Sequence, residues 1–176
     1  MESLVTLKRT FIPNVRNQVT HWAIQGVVDE REKQDFVYLE TRPEVVSWQP
    51  PIRVDCSFYC KIVYWRAGAI DPTGMNFDEY GNSDSIFNNP QGKHINLADV
   101  RHGDIILFGP GGSVHAVIAV TDGTGGDPTC ASMGQPGNPA LVKLSVLESL
   151  GEATFIQFPM TNRHLMKLPI IGNRQI

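Results

Sequence analysis

Residues 104–120, DIILFGPGGSVHAVIAV, contain two apolar segments separated by Gly-Pro-Gly-Gly. Short apolar runs bounded by glycine and proline are typical of strands, and a short glycine-rich connection joins neighbouring antiparallel strands. We therefore predict a β-hairpin with strands over residues 104–108 and 114–120. Residues 140–144 and 154–158 have similar strand-like composition. The C-terminal half of the chain is thus predicted to build an antiparallel sheet.

The N-terminal half has helical patterning instead. Apolar residues recur at spacings of three and four after Asn14, which predicts a first helix. Asp55 is a good N-cap for a second helix, which Gly68 ends. Residues 30–49 are a polar connection, and residues 83–87 form a helical turn within the loop 70–94. Helices followed by an antiparallel sheet predict an α+β fold with N-terminal helices packed on a small antiparallel sheet.

Length and composition restrict the classes of protein. The 176 residues fit one domain, and a net charge of -3 gives no basic surface for nucleic acid. No apolar run approaches the roughly 20 residues that span a bilayer, and the N-terminus lacks the apolar segment of a secretory signal. Three cysteines are too few for a disulfide framework. We assign residues 1–13 to an N-terminal arm, 14–159 to the domain and 160–176 to a tail.

Cys56 is a candidate nucleophile. In the predicted second helix it occupies the first turn, where unpaired amides and the helix dipole favour a thiolate. The same amides can stabilise an oxyanion on a carbonyl under attack. The alternative interpretation is a buried structural cysteine. Cys60 lies one turn deeper and is predicted to be core, because no further ligands stand nearby to complete a metal site.

A cysteine nucleophile needs a base, and His115 is the best placed of five histidines. It begins a predicted strand directly after the glycine-rich turn, so its side chain can reach a neighbouring helix. A lone histidine on a strand is more often structural than catalytic. The remaining histidines lie in a surface helix (His21), in polar loops (His94 and His102) and in the tail (His164).

Together these segments resemble the NlpC-type cysteine peptidases, which cleave bacterial cell-wall peptides. The family pattern is Asp-Cys-Ser-Gly-Phe opening a helix, then Gly-Asp before apolar residues, then a His leading a strand. The segments AGAIDPTGMNF and DPTCASMGQPGNPALVKLS are similar to single-domain versions carried by phages of actinobacteria. The likeness covers residues 22–158. The residues that match the pattern are Asp55, Cys56, Ser57, Gly103, Asp104 and His115.

The resemblance implies a papain-like fold in which Cys56 attacks a peptide carbonyl and His115 serves as base and acid. Ser57 would supply a backbone amide near the site, and Tyr38 matches a tyrosine that lies beside it in relatives. The implied substrates are peptidoglycan stem peptides, with no cofactor, metal, nucleic acid or membrane partner. Such a phage protein would be made in the bacterial cytoplasm without a signal peptide, and would act at the cell wall or travel in the virion.

The sequence departs from the family pattern at three places. Phe58 replaces the glycine, and Met133 stands where relatives carry the histidine that serves as third polar residue. A methionine cannot orient an imidazole by a strong hydrogen bond, so Gln135 is our first candidate for that task, with Ser132, Asp127 or a backbone carbonyl as the others. The arm and tail are unmatched and suggest contacts with other virion proteins. The alternative function is therefore a virion structural or assembly protein with weakened or lost hydrolase activity.

Overall fold

The computed structural model describes residues 14–29, 36–38, 52–78, 80–134 and 139–162. The predicted arm and the tail from residue 163 onward lie outside these ranges. None of the described helices is long and apolar enough to cross a membrane. The helices are α1 (Val15–Val28), α2 (Cys56–Arg66), α3 (Ser83–Asn88) and α4 (Leu144–Leu147). The strands are β1 (Phe36–Tyr38), β2 (Ile52–Val54), β3 (Lys93–Ile95), β4 (Ile105–Phe108), β5 (His115–Ala119), β6 (Thr129–Ser132), β7 (Ala140–Lys143) and β8 (Ala153–Gln157).

The described strands form a six-stranded antiparallel sheet in the order β3-β8-β4-β5-β6-β7, and β1 pairs with β2 in a separate parallel pair. The predicted hairpin is confirmed, with Ile105 opposite Ile118 and Phe108 opposite His115. Mixed helix and antiparallel sheet make the protein α+β, as predicted. The predicted strands over 140–144 and 154–158 correspond to β7 and β8.

Both predicted long helices are present, and their caps explain where they begin. The side chain of Asn14 accepts a hydrogen bond from the backbone of Arg16 at the start of α1, and Asp55 caps α2. The two helices pack against each other through Tyr59, whose hydroxyl donates to the carbonyl of Ala23 at 2.9 Å. The buried residues of α1 are Val15, Val19, Ala23, Gly26 and Val27, which keep the spacing that predicted the helix.

Gly103 and Asp104 fasten the helices to the sheet. The Tyr64 hydroxyl of α2 donates to the Gly103 carbonyl at 2.6 Å, and Gly103 has a φ of 88° that favours glycine. The fully buried Asp104 accepts hydrogen bonds from the Arg16 guanidinium at 2.7 Å and from Gln157 at 3.2 Å. The Gly-Asp pair of the sequence pattern therefore has a structural task at the start of β4.

A buried lysine on α2 anchors the loop that follows this helix. The ammonium of Lys61 donates to the carbonyls of Asp78 and Tyr80, each at 2.6 Å, and the side chain is fully buried. It also lies 3.6 Å from a carboxylate oxygen of Asp71 and 3.4 Å from one of Asp78. Because buried charges need partners, these contacts fix Asp71, Asp78 and Tyr80 against the helix.

Several short elements were not predicted. The connection assigned to residues 30–49 contains β1, and residues 129–132 form β6 between β5 and β7. His94, which we placed in a loop, lies in the edge strand β3. Each of these strands has three or four residues, which is too short for an alternating pattern to emerge.

We predict that Lys61→Met lowers the free energy of unfolding by about 3 kcal/mol, because the buried Asp71 carboxylate loses its cation and two carbonyls lose their donor. Urea unfolding measures this loss. The matched control is Lys143→Met, since Lys143 is an exposed lysine and its replacement should change stability by less than about 0.5 kcal/mol. Equal stabilities for the two variants would contradict the prediction.

Candidate active site

Cys56 is the first residue of α2, as predicted. The Asp55 carboxylate accepts from the backbone N–H of Phe58 and from the Ser57 hydroxyl, both at 2.7 Å. This cap turns the carboxylate toward the helix amides and leaves the Cys56 side chain half-buried at the helix end. Phe58, which replaces the glycine of the family pattern, is fully buried in the core between the helices and the sheet.

A cleft of about 440 Å³ opens at this helix end. It brings together four residues that the sequence singled out, namely Cys56, His115, Ser57 and Tyr38. Tyr38 is the last residue of β1, and its ring lies against Gly134 at a place where any Cβ would overlap it. The cleft lining consists of Tyr38, Asp55, Cys56, Ser57, Asn82, Ser83, Ser113, Val114, His115 and Leu150.

Ser132 holds the ring of His115. The Nε2 atom of His115 lies 2.9 Å from the Ser132 hydroxyl, and both side chains are buried. Ser132 faces Val117 in the register of β5 and β6, and Val117 shares a face with His115 because strand side chains alternate. No described residue hydrogen-bonds Nδ1. An Nε2–H that donates to Ser132 therefore leaves the Nδ1 lone pair available to accept a proton.

The residue beside His115 is thus Ser132 and not Met133, the position suggested by the family pattern. Met133 is fully buried in the core between the helices and the sheet, because neighbouring residues on an extended segment point in opposite directions. Gln135, our first candidate, lies outside the described residues. Asp127, another candidate for orienting the ring, is engaged elsewhere, because its carboxylate accepts hydrogen bonds from the backbone N–H and the hydroxyl of Ser145.

The electrostatics of Cys56 differ from our expectation. Burial raises the pKa of its thiol, and hydrogen bonds from the backbone of Ala116, Ser57 and Cys56 itself only partly offset this effect. The nearby Asp55 charge raises the pKa further. The expected helix-end amides are therefore present, but they do not produce a low-pKa thiolate.

His115 is also neutral in the resting protein. Burial lowers the pKa of its imidazole from the ordinary 6.5 to about 4. Among the described contacts, no hydrogen bond joins the Cys56 sulfur to the His115 ring. The two side chains are therefore a thiol and a neutral imidazole in the resting protein.

The other two cysteines pack in the interior. Cys60 is fully buried, as predicted, and its pKa is raised well above the ordinary value by burial. Burial likewise raises the pKa of Cys130 to about 12. All three cysteines are free thiols. Within the described ranges, no three His, Cys, Asp or Glu side chains are grouped so as to hold a metal ion.

Sequence reasoning missed the walls of the cleft. Asn82 and Ser83 form one wall at the start of α3, while Ser113 and Val114 form another after the glycine-rich turn. Both walls belong to loops whose composition predicts turns, and no residue pattern marks them as binding surfaces.

No known protein family, curated protein or solved structure matches this chain.

We predict that iodoacetamide alkylates Cys56 at neutral pH at least about threefold more slowly than it alkylates N-acetylcysteine, with a rate that still rises above about pH 9. The reason is the raised pKa of the half-buried thiol. Mass spectrometry of the labelled peptide measures the rate. Cys56→Ser is the control, because Cys60 and Cys130 are buried and should remain unlabelled. Rapid labelling at pH 6 would contradict the prediction.

We predict an acid-dependent loss of stability from His115. Between pH 6.5 and about 4, the unfolded imidazole binds a proton that the folded one does not, so the unfolding free energy falls as pH falls through this range. From pH 7 to 5 the wild type should lose about 2 kcal/mol more than His115→Gln. Asp104 also titrates abnormally, but it is present in both proteins and cancels in the difference. Parallel stability–pH curves for the two proteins would refute this assignment.

Proposed function

We propose that this chain is a cysteine peptidase with the papain-like arrangement of the NlpC type, which hydrolyses peptide bonds of bacterial peptidoglycan. The observation that carries the proposal is the shared cleft of Cys56 and a His115 whose ring is held by the buried Ser132. A nucleophile, a base and a group that orients the base form a functional unit whose members are far apart in sequence.

The arrangement of elements supports the papain-like interpretation. Cys56 begins a buried helix, and His115 begins a strand of the antiparallel sheet against which this helix packs. The backbone amide of Ala116, next to His115, lowers the pKa of the Cys56 thiol, and Cys56 and His115 line the same cleft. These observations support a reaction in which the two side chains act together.

Because Cys56 and His115 are both neutral in the resting protein, the thiol proton must move during the attack. As the Cys56 sulfur attacks the carbonyl carbon, its proton passes to Nδ1 of His115, and the backbone amides of Cys56 and Ser57 at the helix end can donate to the developing oxyanion. The protonated ring then gives its proton to the leaving amine as the C–N bond breaks. A water that loses its proton to His115 hydrolyses the resulting thioester, which releases the acid and restores the thiol.

The substrate class follows from the resemblance and is supported by the lining of the cleft. Apart from Cys56 and His115, its described polar side chains are hydroxyls, a phenol and an amide, with the Asp55 carboxylate as the single acid. Such a surface suits the alternating donors and acceptors of a peptide. Stem peptides of the cell wall are the peptides that the resemblance implies.

A second candidate function is a virion structural or assembly protein on the same fold with weakened or lost hydrolysis. The observation that favours it is the raised pKa of Cys56 together with the lowered pKa of His115. Both shifts disfavour the thiolate–imidazolium pair that makes cysteine peptidases reactive.

Hydrolysis of actinobacterial cell walls tests the proposal. We expect wild-type protein to release soluble peptides and Cys56→Ala to release none, while Cys130→Ala, which removes a buried cysteine that does not line the cleft, keeps the wild-type rate. Ser132→Ala should lower kcat by about tenfold, because the ring loses its orienting hydrogen bond. Ser145→Ala is the matched serine control.

The outcomes separate the two functions. Equal release by the wild type and Cys56→Ala would exclude Cys56 chemistry. No release by either protein, together with stable association with other virion proteins, would favour the structural role.

A further inference from the structure

Asn82 lines the cleft and has its side-chain amide fixed in one orientation. It precedes α3 as its N-cap, and its Oδ1 atom accepts from the backbone N–H of Ser85 at 3.0 Å and from the Ser85 hydroxyl at 3.3 Å. Because a backbone N–H can only donate, the oxygen of the amide must face Ser85. The NH₂ group of Asn82 therefore points away from the helix.

That NH₂ group has no acceptor among the described residues. The contacts of the Asn82 side chain are those with Ser85, and the residue is exposed at the cleft wall. The amide thus offers two donor hydrogens whose direction is set by the cap. The group that can contact a ligand is this side-chain amide, and we assign no role in binding to the dipole of the short helix.

The wall that carries Asn82 is anchored before any ligand arrives. Lys61 binds the carbonyls of Asp78 and Tyr80 from the same helix that carries Cys56. Gly81 has a φ of 89° and packs so closely on Thr73 that a Cβ would overlap it. Anchoring of this kind lowers the entropic cost of placing a donor against a ligand.

Asn82 shares the cleft with Cys56 and His115. The turn Pro110–Gly112 contacts α3 and leads into Ser113 and Val114, which line the same cleft. A peptide that presents its scissile carbonyl to Cys56 occupies the cleft that Asn82 lines. Its flanking carbonyl oxygens then need donors to replace water.

We propose that Asn82 is a substrate-binding residue whose side-chain amide donates a hydrogen bond to a backbone carbonyl oxygen of the peptide in the cleft. The proposal rests on the proposed peptidase function and extends it to a specific contact. Asn82 binds the peptide equally in the ground state and the transition state, so its effect falls on KM and leaves kcat unchanged.

Asn82→Ser tests the contact without removing the helix cap, because serine and aspartate cap helices about as well as asparagine. With soluble stem peptides from actinobacterial walls as substrate, we expect KM to rise about 3- to 10-fold, kcat to stay within about twofold and the melting temperature to stay unchanged. Asn82→Asp should raise KM at least as much, since a carboxylate cannot donate. The added charge of Asn82→Asp can also act on Cys56. Asn82→Ser is neutral and therefore tests the loss of the amide donor without this effect.

The control variant, Ser85→Ala, should have the opposite effects on stability and on KM. Ser85→Ala removes the hydroxyl partner of the cap but keeps the Asn82 amide and the Ser85 backbone donor. It should lower the melting temperature slightly and leave KM unchanged. An Asn82→Ser protein with wild-type KM would overturn the proposal while the peptidase function stands.

Calorimetric binding of the same stem peptides distinguishes failure of the contact from failure of the function. In the Cys56→Ala background, Asn82→Ser should weaken binding about 3- to 10-fold. If the wild type hydrolyses nothing, this weakening still supports the contact. Absent binding, or equal affinity in the two proteins, overturns it.

Discussion

The burial of α2 is the constraint on which the rest of the structure depends. Every residue from Ser57 to Tyr64 is buried, so this helix has contacts on all sides and its polar side chains must find partners inside the protein. The hydroxyl of Tyr64 donates a hydrogen bond to Gly103, just before β4, and the hydroxyl of Tyr59 donates one to α1. The ammonium of Lys61 donates to the carbonyl of Asp78 in the loop after the helix. A helix fixed in this way cannot rotate or slide without breaking several buried hydrogen bonds. The position of Cys56 at its first turn is therefore set by the whole core, and the Asp55 cap only decides where the helix begins.

The same burial sets the protonation of the site. A helix N-terminus favours a thiolate, yet the pKa of Cys56 is raised because the loss of solvent outweighs the amide hydrogen bonds. His115 has a lowered pKa for the same reason. Neither group is stabilised in its charged form by the resting protein, so in the proposed reaction charge would develop together with the attack on the substrate. In this site, desolvation and not the helix dipole decides the resting state.

The sequence predicted what local chemistry controls. The start of α1, the cap of α2, the glycine-rich hairpin and the burial of Cys60 all follow from residues within one or two turns of each other. The pairing of β1 with β2 and the insertion of β6 beside β5 do not, because they depend on contacts between distant segments and the strands are too short to show alternation. The identity of the residue that touches His115 depends on the register of β5 and β6. For this reason Ser132 could be named as a candidate from sequence, but could not be preferred over Gln135 until the strands were paired.

The register of β5 and β6 also changes how Met133 should be interpreted. A methionine at the family's third position suggests a broken site, but alternation sends Met133 into the core and turns Ser132 toward the ring. The Ser132 hydroxyl is a weaker partner than a carboxylate, because it is neutral and offers little stabilisation to an imidazolium. A buried imidazolium without a carboxylate partner is costly, so in the proposed reaction it would exist only while the negative oxyanion lies close to it. Proton transfer would then be tightly coupled to bond formation, and the rate of the proposed peptidase would depend on how firmly the cleft holds the peptide during the attack.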